Sequence, residues 1–207
     1  MADKTQRTPM VAYAAALAVA VQWLTLFGFV ILDFKYAEQL RPIRYFATQQ
    51  STQQLFTVGF TLSAILIWIF ITFWAKKFVK ISFILFSISM AFFIAMATIP
   101  FNPDDIQNLV QHENVTALFA LTYVLGMLHV GVRNKDAGLR RRSFICGAIG
   151  IVLGITIFNT NNAINTTSII FYEIICALAA QYWILYLSNY ILQLKKTPSE
   201  ALSTSPA

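Results

Sequence analysis

The sequence predicts an all-α, polytopic transmembrane bundle of six helices. Three observations lead there. First, 57% of the 207 residues are hydrophobic and only 12% are charged, whereas soluble domains carry about a quarter charged residues. The mean hydropathy is +0.64. Second, the apolar residues fall into runs of about 20, the length that crosses a bilayer. Third, the cations gather in alternate connections, as they do when one side of a membrane retains them. The net charge of +6 and pI near 9.4 therefore need no nucleic acid to explain them.

The polar N-terminal segment 1–9 carries Lys4 and Arg7. The first apolar run, 10–32, continues well past the cleavage-like Ala18-Val19-Ala20, so it reads as an uncleaved helix and not as a signal peptide. Ala12, Ala16 and Ala20 form a small-residue stripe that would admit a neighbouring helix. The longest connection, 33–54, holds Asp33, Lys35, Glu38, Arg41 and Arg44, then a Gln/Thr/Ser tract. Its aromatics, Phe34, Tyr36, Tyr45 and Phe46, suit a membrane interface. The second span is 55–75, with Gly59 and Ser63 as a small pair and Trp74 beside the basic turn Lys76, Lys77 and Lys80. The third, 81–100, ends at Pro100. An acidic loop, 101–114, leads to the fourth, 115–132. The most basic segment follows, with Arg133, Lys135, Arg140, Arg141 and Arg142. The fifth span is 143–162, with Gly147, Gly150 and Gly154 on one close-packing face. The sixth, 168–194, precedes a tail, 195–207, expected to be disordered.

Placing both termini, the Lys76–Lys80 turn and the Arg133–Arg142 segment on one side puts 12 cations there and 3 on the other. That bias predicts cytosolic termini in a plasma membrane or its equivalent. Asp33, Glu38, Asp104, Asp105 and Glu113 then fall on the outer side.

The residue that stands out chemically is Glu173. It is an acid about five residues inside the last span, and such a group is costly in lipid. Gln181 and Ser188 continue its row along the helix, so this face should point into the bundle. Two readings stay open for Glu173: a carboxyl hydrogen-bonded or paired within the bundle, or a group that handles a ligand or a proton. His112 beside Glu113 is expected at the outer surface before the fourth helix, as a solvated flank or as an acid–base group. His129, on the same helix, lies too far along to share its site. Cys146 and Cys176 sit in apolar runs and read as packing residues. No HExxH, Walker loop, mid-helix lysine or arginine-rich voltage-sensor helix is present.

The layout is similar to two six-helix families. The shared points are the polar tract feeding Gln54-Leu55-Phe56-Thr57-Val58-Gly59, the turn Phe101-Asn102-Pro103-Asp104, and His112-Glu113-Asn114-Val115-Thr116-Ala117-Leu118-Phe119. The last helix adds Glu173 and Trp183. In these the chain resembles the damage-regulated autophagy modulators and, more closely, a prokaryotic six-helix family known as a domain of unknown function. The first resemblance implies a lipid-linked or regulatory role, and the second implies no established activity.

The resulting expectation is a non-enzymatic membrane protein that binds a lipid or small amphiphile in an outward-facing polar pocket. Its candidate residues are Glu173, His112, Arg44, Arg41, Asp33 and Gln181. Membrane lipids are the expected partners, no cofactor or metal is implied, and the small-residue faces suit a homo-oligomer. A proton-coupled transporter or channel using Glu173 is the alternative. An intramembrane hydrolase using His112 with Glu113 or Asp104 ranks third.

Overall fold

The computed structural model describes residues 7–34, 43–75, 80–99, 101–102, 104–160 and 166–203. Helix makes up 92% of it, and no strand occurs among the described residues. Among the described residues six α-helices follow in order: α1 Arg7–Leu32, α2 Gln53–Ala75, α3 Lys80–Thr98, α4 Ile106–Arg133, α5 Ala137–Thr160 and α6 Thr166–Ser203, with a 3-10 turn at Ile43–Thr48 before α2. Each helix packs on the next, and α6 returns to pack on α1. The six therefore close a ring.

Among the described residues, five of the helices, all but α5, are long and apolar enough to cross a membrane. The helix ends differ from the apolar spans because backbone capping sets them. Asp105 caps α4, accepting from the N–H groups of Gln107 at 2.9 Å and Asn108 at 3.3 Å, so α4 starts nine residues before the expected Val115. Most of the expected acidic loop is thus helix. Asp136 does the same for α5, accepting from Leu139 N–H at 2.6 Å. Arg140, Arg141 and Arg142 consequently lie on the first turns of α5 and not in a loop. Residues 195–203, expected as part of a disordered tail, extend α6 to Ser203. Lengthening an existing helix needs no new nucleus.

The small-residue stripe that α1 buries differs from the one expected. Ala12, Ala15 and Ala18 are buried, while Ala16 and Ala20 are exposed. Gly59 of α2 packs directly on the Thr25 side chain, and Ser63 Oγ donates to Ala18 O at 3.2 Å. Small residues let these backbones approach, as they do where lipid provides no hydrophobic drive between helices. The core beside α3, α4 and α6 is aromatic. Phe86 stacks on Trp183 with centroids 5.4 Å apart, and Phe93 stacks on Phe119 at 4.7 Å.

Candidate functional site

The ring encloses a cavity of about 290 Å³. That is about twice the apolar cavity known to admit benzene, roughly 150 Å³, and close to the lower end of small-molecule pockets. All six helices contribute to its wall. Gln22 comes from α1, Phe60 from α2, Met90 from α3, His112 and Tyr123 from α4, Gly154 from α5, and Glu173 and Gln181 from α6. The lining residues on α4 run from His112 to Met127, about 22 Å of helix at 1.5 Å per residue.

Its polar groups collect toward one end. The early start of α4 carries His112 inside the bundle, where it is fully buried with its ring 4.9 Å from that of Phe101. The expected surface position of His112 is thus corrected: it follows two turns of helix created by the Asp105 cap. Thr116, one turn further, also lines the cavity, and its hydroxyl donates to His112 O at 2.8 Å. Glu173 is half-buried, and its Oε2 accepts the backbone N–H of Ile43 at 2.9 Å. That bond ties α6 to the 3-10 turn, which is itself fixed in the bundle. Phe46 of the turn stacks on Phe29 at 4.7 Å, and Thr52 Oγ1 donates to Phe46 O at 2.5 Å. The 3-10 turn therefore packs at the end of the bundle where the acid lies.

Half-way along, Gln181 Nε2 donates to Gln22 Oε1 at 2.7 Å, and Gln22 Nε2 donates to Ser63 Oγ at 2.8 Å. Trp23 Nε1 donates to Gln181 Oε1 at 3.1 Å. The next member of the α6 row, Ser188, donates to Ala12 O at 2.8 Å. The inward face of α6 is as its sequence predicts.

Of the six expected site residues, the structure brings His112, Glu173 and Gln181 to one cavity. Asp33 follows α1, its N–H donating to Phe29 O at 2.9 Å, and does not line that cavity. Arg41 and the Arg44 side chain lie outside the described residues. Gln22 was missed, although a single amide in the middle of an apolar run is a readable signal. Both cysteines line the cavity as free thiols. His129 stays apart, with Nδ1 2.7 Å from Ser82 Oγ. Among the described residues no cluster of three or more His, Cys, Asp or Glu is positioned to hold a metal. What remains is a mostly aromatic and aliphatic chamber with hydrogen-bonding groups at one end and an amide pair at mid-depth. Such a shape can hold a chain-like molecule and orient its polar end. No protein-family profile, curated protein or solved structure matches the chain.

Proposed function

We propose that this is an integral membrane protein that binds a lipid or small amphiphile in its central cavity, with the polar end of the ligand at His112, Thr116 and Glu173. The observation that carries this reading is the cavity's asymmetry, with His112, Thr116 and Glu173 at one end, the bonded amides Gln22 and Gln181 at mid-depth, and Phe, Met and Ile over most of the rest. A single-tailed amphiphile has the same division. The role is one of binding or regulation, not catalysis.

In this reading all six helices span. At 24 residues α5 is about 36 Å long, more than the roughly 30 Å hydrocarbon core, and it packs between α4 and α6. Its arginines then lie at the membrane surface. The 12-to-3 distribution of cations favours cytosolic termini, with the Glu173 end of the cavity toward the outside.

Filling the chamber tests the proposal. A Cβ added at Gly154 meets nothing within 4 Å, and this glycine lines the cavity. Gly154→Leu should occupy the chamber without forcing the helices apart. The purified variant is expected to keep its helicity and melting temperature and to lose most of the lipid that co-purifies with the parent protein, measured by native mass spectrometry. Unchanged lipid content in a folded Gly154→Leu protein would sink the reading.

A further inference from the structure

We propose that the α4–α5 turn is a headgroup site for anionic phospholipids, separate from the central cavity and resting on the membrane reading above. Arg133, Lys135, Arg140 and Arg141 are all exposed and lie within nine residues of sequence. None of the four makes an ion pair among the described residues. The only acid in this stretch, Asp136, is committed to the backbone of α5 through Leu139 N–H at 2.6 Å.

The patch is held in place by its turn. Asn134 N–H donates to Val130 O at 3.0 Å, Asn134 Oδ1 accepts from Asp136 N–H at 2.9 Å, and Arg140 N–H donates to Asp136 O at 3.0 Å. The hydrogen bonds fix the backbone that carries the four cations, which lowers the ordering cost of binding a multivalent anion. The fifth cation is used internally. Arg142 Nε donates to Tyr182 Oη at 3.0 Å, Nη1 donates to Gly138 O at 3.2 Å, and the guanidinium lies 4.0 Å from the centroid of the Tyr186 ring.

A second observation indicates a lipid and not a soluble anion. Phe144 and Ile145 are exposed and follow Arg140 and Arg141 by four residues, so each pair shares a face of α5. Ile151, Val152 and Ile155 continue the exposed apolar surface, and Val132 is exposed beside Arg133 on α4. A phosphate bound by the arginines would have its own acyl chains lying along this surface. Each cation near an anionic membrane surface contributes roughly fivefold in affinity.

The test uses the full chain in nanodiscs of phosphatidylcholine doped with anionic phospholipid, with bound lipids counted by native mass spectrometry. The parent should retain anionic lipid over phosphatidylcholine, and a doubly charged phospholipid over a singly charged one. Arg133→Gln/Lys135→Gln/Arg140→Gln/Arg141→Gln should reduce that retention at least tenfold. Should the fourfold variant fail to fold, Arg140→Gln/Arg141→Gln should still reduce it several-fold. Equal retention by parent and a folded variant overturns the site, and so does displacement of the lipid by millimolar glycerol phosphate, which would mark a soluble-phosphate site. Insertion into nanodiscs of phosphatidylcholine alone tests the membrane reading separately.

Discussion

The seam that joins α1 to α2 and α6 differs in chemistry from the seam between α3 and α4. The first is made of small residues and amides: Gly59 on Thr25, and the chain from Trp23 through Gln181 and Gln22 to Ser63. The second is made of rings: Phe93 on Phe119, Phe86 edge-on to Tyr123 with centroids 5.4 Å apart, and Trp183 of α6 closing against both Phe86 and Tyr123. In lipid the hydrophobic effect does not draw helices together, so a seam relies on close backbone approach, polar bonds or shape. This bundle divides those means between its two sides. The cavity lies between them, its mid-depth amides coming from the polar side and its Phe93, Phe119 and Tyr123 wall from the aromatic one.

The comparison can be tested from its strongest contact to its weakest. Trp183 is fully buried, and its indole N–H donates to Ser143 Oγ at 2.9 Å. Trp183→Ala should lose about 3–5 kcal/mol, the usual cost of deleting a buried large aromatic, read from unfolding in detergent. A loss under 1 kcal/mol would mean that the aromatic seam is not what holds α6. On the polar side, Gly59→Leu drives a side chain into Thr25. Overpacking of this kind costs about 1–3 kcal/mol, and the melting temperature should fall while helicity is kept. Gln181→Leu is expected to have the smallest effect, about 0.6–2 kcal/mol, the range for interhelical hydrogen bonds in membranes. If Gln181→Leu destabilised as much as Trp183→Ala, the ranking of the two seams would fail.

The boundaries show how far the sequence could be read. Hydropathy marks where the chain matches the thickness of a bilayer, and on that basis the helices exist where they are expected. Helix ends follow a different rule, the satisfaction of free N–H groups. Asp105 and Asp136 satisfy them well outside the apolar runs, so α4 and α5 begin nine and six residues earlier than their spans. His112 moved from the expected surface to the interior for this reason. The small-residue stripe shows a second limit. Alanines four apart and alanines three apart both recur along α1, and only the packing of α2 and α6 selected Ala12, Ala15 and Ala18.

By itself the sequence determined the helical class, the apolar spans, the charge asymmetry and the inward face of α6, because each follows from residues close together along the chain. The tertiary structure decided which polar groups meet. Glu173 finds Ile43 across 130 residues of sequence, and Gln181 finds Gln22 across 159. Contacts at that separation depend on the closure of the ring between α6 and α1, which no local pattern of residues encodes.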